Sequence, residues 1–339
     1  MIPWLSLAAF GQGLTALNPE PPPGFDLSVG SCEGCHSEVA AQWAGSRHAV
    51  AGTNPIFWEA WTRWPNGWCV NCHAPLAEGQ LATLGGLARP GSFPRPQPPA
   101  GLWAEGVNCA TCHVQDQQIL SSREPSTEAL LAHPVRVDPG FGGADACASC
   151  HEFPFQQPTA PGEPFAIGET LAQATVSEWA LSSAASEGRS CQDCHMGRHG
   201  HAFPGAHDSE RLRSLLKVEV QPGDQHAVFT VSAPGAAHRI PTGDPFRRLI
   251  LETCADAACA EPVDEVVFRR VFASTGQGWV EVLDRTIPPE RPGQPAQRQV
   301  QLSTAGARSW RLRYALADHR HEHVLAPEER GYVVVEGAL

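Results

Sequence analysis

Cys32-Glu-Gly-Cys35-His36 is the first of five Cys-x-x-Cys-His motifs in this chain of 339 residues. The second to fifth motifs are Cys69-Val-Asn-Cys72-His73, Cys109-Ala-Thr-Cys112-His113, Cys147-Ala-Ser-Cys150-His151 and Cys191-Gln-Asp-Cys194-His195. Two thiols three positions apart share one face of a helical turn, and the His that follows projects beside them. The motifs contain ten of the twelve cysteines, so one repeated chemistry accounts for most of the cysteine content.

The spacing within each motif is that of covalent haem attachment. Two thiols at this distance reach the two vinyl groups of one haem c, and the next residue directs its imidazole at the iron as the proximal ligand. Zinc is the alternative, since paired thiolates also bind Zn²⁺. Five motifs that all end in His favour haem, so we predict five covalent haem c groups with His36, His73, His113, His151 and His195 as proximal ligands.

The ligand on the other face of each iron has few candidates. Only two Met occur, and Met196 directly follows a proximal His, so it cannot reach the same iron. We therefore predict low-potential haems with a second His. The predicted distal ligands are His48, His133, His201, His207 and His238. Each of them has the alternative of being a surface or hydrogen-bonded His, and His199 is a substitute for His201.

The chain changes character along its length, which predicts three segments. Residues 1–24 are a leader or signal-like segment, 25–212 a haem-packed, mostly α/loop pentahaem cytochrome c domain, and 213–339 an all-β, β-sandwich-like domain. The β prediction rests on short runs of alternating residues separated by Gly, Pro or Asp. These runs are 215–220, 227–231, 248–253, 266–272, 279–283, 297–302, 308–314 and 332–336. Cys254 and Cys259 are predicted to form a local disulfide, with two free thiols as the alternative.

The composition predicts a protein outside the cytoplasm. Haem is attached to paired cysteines outside the cytoplasm in bacteria, so we expect a periplasmic or extracellular location. Residues 2–17 are an apolar candidate signal, although no Lys or Arg precedes Arg47. No run of 18 apolar residues predicts a membrane span. A net charge of −12 argues against nucleic acid and suits a neutral or basic redox partner protein, or an extracellular electron acceptor.

Beyond the motifs, the chain resembles the multihaem cytochromes that include the electron acceptors of hydroxylamine oxidoreductase. The resemblance rests on Trp43-x-x-Ser46-x-His48-Ala, Gly106-Val-Asn-Cys109 with His133-Pro-Val, and Cys194-His195-Met196 with His201-Ala-Phe. Ala237-His238-Arg-Ile-Pro241-Thr-Gly243 resembles a turn of the β-domain that many environmental multihaem cytochromes carry. The resemblance implies closely packed haems with His on both faces that pass electrons along a chain.

One position departs from the family pattern. Glu178-Trp179-Ala-Leu-Ser182-Ser-Ala184 repeats the Trp-x-x-Ser-x-His pattern with Ala184 where His is expected. One haem therefore lacks a distal ligand, or another His supplies it. An open iron would be able to bind a small ligand.

Electron transfer is the predicted function, and two alternatives stay open. The first is a multihaem reductase at a haem left open by Ala184. Pentahaem nitrite reductases use a Lys at the catalytic haem and hydroxylamine oxidoreductases a cross-linked Tyr. Here Lys217, Tyr314 and Tyr332 all lie in the predicted β-domain, which weakens both enzyme hypotheses. The second is a homo-oligomeric extracellular filament, in which a His from the loop 318–323 would ligate the iron of a neighbouring copy.

Overall fold

A computed structural model describes residues 19–63, 67–77, 100–157 and 166–339. The predicted leader lies outside these residues up to residue 18. Among the described residues, no helix combines the length and the apolarity that crossing a bilayer requires. The chain forms two compact units. The first contains the described residues of Met1–Cys150, Gln156–Ile167 and Arg198–Phe203, and the second contains His151–Phe155, Gly168–Gly197 and Pro204–Leu339.

Short helices and turns make up most of the first unit. The helices are α1 (Gly30–Glu33), α2 (Ser37–Ala44), α3 (Pro55–Arg63), α4 (Gly67–His73), α5 (Cys109–His113), α6 (Thr127–Ala132) and α7 (Asp145–His151), which leads into the second unit. The strands β1 (Val114–Gln115), β2 (Gln118–Ser121) and β3 (Val135–Val137) form a small sheet in the order β1-β2-β3. Asn54 begins α3 because its Oδ1 accepts the amides of Ile56 and Phe57, with Pro55 at the first helical position.

A small cluster of buried apolar side chains, mostly aromatic in volume, lies in the described part of the first unit. It consists of Phe57, Trp61, Val70, Ala74, Ala77 and Trp103. This cluster of six side chains is a small packed core for the described part of the unit, and a small core leaves a fold only marginally stable. This agrees with the expectation that haem supplies apolar surface in the motif-bearing region, which stays a prediction.

The second unit combines helices that carry the fifth motif with a β-rich region. Its helices are α8 (Thr175–Ala180), α9 (Ser183–Ser186), α10 (Cys191–His195), α11 (Ser209–Leu215) and α12 (Pro327–Arg330). Most of the paired strands β4 (Glu152–Gln157) and β5 (Ala166–Ala174) also belong to it. Residues 168–197 thus group with the β-strands, whereas the sequence alone placed them with the other motifs.

Two antiparallel sheets enclose the main hydrophobic core of the second unit. The strands are β6 (Lys217–Pro222), β7 (His226–Ser232), β8 (Arg248–Cys254), β9 (Pro262–Phe268), β10 (Arg270–Ser274), β11 (Trp279–Asp284), β12 (Gln297–Ser303), β13 (Ser309–Ala315) and β14 (Gly331–Ala338). They form sheets in the orders β12-β7-β6 and β14-β13-β8-β9, with β10-β11 as a separate hairpin. Phe229 and Leu302 from the first sheet meet Leu251 and Leu312 from the second in one buried cluster, which is how a β-sandwich builds its core.

All eight predicted β runs contain a strand, and one of them is divided. The run 266–272 forms the end of β9 and the start of β10. Phe268 is fully buried in the sandwich core, whereas Arg270 pairs with Glu281 at 2.6 Å in the separate hairpin, so the chain leaves the four-stranded sheet between them. The predicted disulfide between Cys254 and Cys259 is confirmed, with a Cα–Cα distance of 5.0 Å.

Replacing Leu251 by Ala should destabilise the second unit. Leu251 is fully buried between the sheets, so the substitution leaves a cavity that costs roughly 2–5 kcal/mol of unfolding free energy. Hydrogen exchange should show the loss of stability as faster exchange of the backbone amides in β8 and β13 than in the wild type. Val282→Ala is the control, because Val282 is 57% exposed and its loss should leave exchange in β8 and β13 unchanged. Equal protection in Leu251→Ala and wild type would contradict the proposed core.

Candidate functional site

Each motif folds as one helical turn that brings its two thiols and its His together. α4, α5, α7 and α10 all end at the motif His, and in the first motif the amide of His36 donates to the carbonyl of Cys32 at 2.9 Å. The side chain of Asn108 caps the turn of the third motif by accepting the amide of Thr111. This local geometry fits attachment of both thiols to one side of a porphyrin.

Three motif His face a second His at a similar distance. The ring centroids are 6.5 Å apart for His36 and His133, 6.1 Å for His113 and His201, and 6.1 Å for His195 and His238. Two imidazoles bound to opposite faces of one metal, each by a bond of about 2 Å, would have ring centres roughly 6 Å apart. The spacing therefore fits one iron between the rings of each pair, and the second His in every pair is a predicted distal ligand.

Hydrogen bonds at Nδ1 direct the other ring nitrogen of several His toward such a metal. The Nδ1 atoms of these His lie near backbone carbonyls: His73 at 3.1 Å from Ala51, His113 at 2.9 Å from Leu120, His195 at 2.8 Å from Pro204 and His238 at 2.9 Å from Arg239. A carbonyl only accepts, so each Nδ1 must carry the hydrogen, and the lone pair of the neutral ring lies on Nε2. Such a backbone hydrogen bond is the usual partner of a metal-bound His.

Burial keeps several of these imidazoles neutral. It lowers the pKa of His113, His151, His201 and His238, in the case of His151 together with the nearby His195 and His238. A metal binds the neutral ring. The Nδ1 of His133 is buried and has no hydrogen-bond partner among the described residues, so this ring also has a nitrogen that a metal would satisfy.

Thiols from different motifs lie against each other in the first unit. The thiol of Cys109 donates to Cys32 and lowers the pKa of Cys32 to about 7. In the same way, the hydrogen bond from the thiol of Cys72 lowers the pKa of Cys150. These contacts join the first motif to the third and the second motif to the fourth.

The second motif has an aromatic support. The ring of Phe57 stacks on His73 with centroids 4.2 Å apart and planes 2° apart. Phe57 is held in turn by Trp61 and Trp103 of the buried cluster. Two contacts thus fix the orientation of His73: the stacked ring of Phe57 and the hydrogen bond between its Nδ1 and the carbonyl of Ala51.

Two predicted distal ligands lie beside other residues. His48 packs its ring against Phe203, with centroids 4.5 Å apart. Arg247 Nη2 lies 3.2 Å from His207 Nε2, and because Arg can only donate, this hydrogen bond uses the lone pair that an iron would need. The structure therefore gives no support to His207 as a ligand, and the role of His48 stays a prediction.

Sequence reasoning missed two residues behind the distal ligands. Gln42 accepts the backbone amide of His201 at 3.0 Å, and Glu178 accepts the backbone amide of Arg239, next to His238, at 3.2 Å. Each stands directly before the Trp of the repeated Trp-x-x-Ser pattern. That shared position is the signal that would have found them.

Comparison with known proteins gives one structural likeness. No protein-family model matches the chain, and no curated protein sequence matches it. The chain is similar to the crystal structure of a penta-haem cytochrome c552 from Thermochromatium tepidum, with a TM-score of 0.64 over 97% of this chain and 100% of that one. The two sequences are 19% identical, so the likeness establishes a shared fold.

Proposed function

We propose that this chain is a penta-haem c-type cytochrome that transfers electrons outside the cytoplasm. The observation that carries the proposal is the meeting of three motif His with three other His at the separation that one iron requires. The five complete Cys-x-x-Cys-His motifs and the shared fold with a penta-haem cytochrome c552 support five covalent haems.

Three pairs of His would each hold one iron. His36 and His133 would hold the first, His113 and His201 the third, and His195 and His238 the fifth. The distal ligands of the second and fourth irons would come from the remaining His, with His48 as the first candidate. When bound, the haems supply one-electron chemistry between ferric and ferrous iron. Two imidazoles would keep the coordination of an iron the same in both oxidation states, which suits electron transfer rather than bond chemistry.

Contacts between motifs support a route for electrons. In the holoprotein, the thiols of Cys32 and Cys109 would become thioethers at the edges of the first and third porphyrins, and those of Cys72 and Cys150 at the edges of the second and fourth. Because the thiols of each pair touch, the edges of the attached haems would lie close together. Short separations of this kind allow electrons to pass within each pair of haems.

A location outside the cytoplasm and an acidic surface complete the proposal. The disulfide between Cys254 and Cys259 suits an oxidising compartment, in the periplasm or outside the cell. A net charge of −12 favours a neutral or basic redox partner, and it increases the salt dependence of their association. The reductase and the filament subunit stay alternatives, although His195 already faces His238, which argues against an open fifth iron.

The purified protein should contain five haems. Pyridine haemochrome absorbance and intact mass should both give five covalent haems per chain, since each motif has its two thiols and its His. Cys147→Ser with Cys150→Ser should remove one haem, and the control Cys254→Ser with Cys259→Ser should remove none. Zinc in place of iron, or fewer than five haems in the wild type, would defeat the proposal.

Removing one distal His should open one iron. His133→Ala, His201→Ala and His238→Ala should each convert one low-spin haem to high spin, visible in the electron paramagnetic resonance of the oxidised protein. His207→Ala is the matched control, because the Nε2 of His207 already bonds to Arg247. The assignment fails if His207→Ala gives the high-spin signal and the other three variants do not.

A further inference from the structure

Two parts of the chain repeat one arrangement around a motif. Trp43 Nε1 donates to the carbonyl of Val107 at 2.8 Å, and Trp179 Nε1 donates to the carbonyl of Arg189 at 2.9 Å. Val107 stands two residues before the third motif, and Arg189 stands two residues before the fifth. Both Trp therefore hold the same backbone position of a motif.

In both copies, the residue whose carbonyl accepts from the Trp also donates its own amide back to the segment that follows the Trp. The amide of Val107 donates to the carbonyl of His48 at 3.0 Å, and the amide of Arg189 donates to the carbonyl of Ala184 at 2.9 Å. The residue before each donor is a Gly with positive φ, +61° at Gly106 and +77° in the fifth-motif copy. Ala184 thus occupies the place of His48 in a second copy of one structural module.

A capping Ser completes the match between the copies. Ser46 Oγ accepts the amide of Ala49 at 3.3 Å, and Ser182 Oγ accepts the amide of Ala185 at 3.1 Å. Both Ser are buried. Trp, Ser, positive-φ Gly and motif helix therefore recur in the same order with the same hydrogen bonds.

In the copy around the third motif, Gln42 holds the loop of the distal ligand. Gln42 Oε1 accepts the amide of His201 at 3.0 Å. The preceding residue, Gly200, has a φ of +56°, and a Cβ there would overlap the carboxamide of Gln42. The loop is thus shaped to let one side chain reach the backbone of the ligand.

In the copy around the fifth motif, Glu178 has the corresponding place. This residue is 2% exposed, and its carboxylate accepts the amide of Arg239 at 3.2 Å and the hydroxyl of Thr242 at 2.6 Å. Arg239 and Thr242 lie in the turn that carries His238. The residue before the Trp therefore anchors the loop of the distal ligand in both copies.

The two anchors differ in charge. Gln42 is neutral, whereas Glu178 makes an ion pair with the Arg239 guanidinium at 3.3 Å. Arg239 also pairs with Asp284 at 2.9 Å, so two carboxylates surround one guanidinium beside His238. A negative charge in a poorly hydrated site stabilises ferric over ferrous iron, which lowers the reduction potential.

We propose that Gln42 and Glu178 are equivalent positioning residues for the distal ligands His201 and His238, and that the carboxylate of Glu178 lowers the reduction potential of the fifth haem. This inference rests on the proposed function. The two copies share their Trp, Ser and Gly contacts, and this amide-for-carboxylate difference would tune the two haems separately.

Reciprocal substitutions in the holoprotein test it. Glu178→Gln should raise the midpoint potential of the fifth haem alone, and Gln42→Glu should lower that of the third alone, because each adds or removes one charge and keeps the hydrogen-bond acceptor. Burial raises the pKa of Glu178, while the hydroxyl of Thr242 and the guanidinium of Arg239 oppose that shift. The titration is therefore followed by electron paramagnetic resonance at about pH 8, well above the ordinary pKa of a carboxylate. The low-spin signals that disappear in His238→Ala and His201→Ala identify the two haems.

Truncation separates positioning from charge. Glu178→Ala and Gln42→Ala should change the low-spin g values of the same two haems, whereas the reciprocal variants should leave these g values nearly unchanged. Five low-spin haems with unshifted midpoints in both reciprocal variants would overturn the inference and leave the proposed function standing. Missing haems in the wild type would overturn the function itself. If Glu178→Gln does not assemble, Gln42→Glu decides alone.

Discussion

The second imidazole of each pair comes from a loop, whereas the first is fixed by the helical turn of its own motif. For one iron to bind both rings, as proposed, both would have to lie within bonding distance of it, and bonds of about 2 Å leave little tolerance for a loop that moves. This requirement accounts for the polar contacts behind the loops. Backbone carbonyls orient the rings at Nδ1, while Gln42 and Glu178 hold the loop backbones.

The β-rich unit contributes to the proposed haem site through the turn that carries His238. This turn lies between β7 and β8, and its Ile240 exchanges backbone hydrogen bonds with Ile287 at 2.9 and 2.8 Å. Both Ile side chains are buried in the core of the β-sandwich. The packed sheets therefore give the ligand loop a rigid base, which the small apolar cluster of the first unit could not provide by itself.

The sequence predicted what depends on local spacing. The motifs form helical turns because thiol and imidazole positions are set within five residues, and the β runs form strands because their alternation matches the pleat. The partners of the motif His depend on contacts between distant segments, so His133 and His207 looked alike in the sequence. Arg247, which bonds to His207, could not be anticipated from any local pattern.

The central claim concerns where the irons lie, so anomalous diffraction at the iron absorption edge tests it most directly. Crystals of the holoprotein should show five iron peaks, one of them between the rings of His36 and His133, one between His113 and His201, and one between His195 and His238. Iron peaks whose second ligand is water or a residue other than these His would contradict the account.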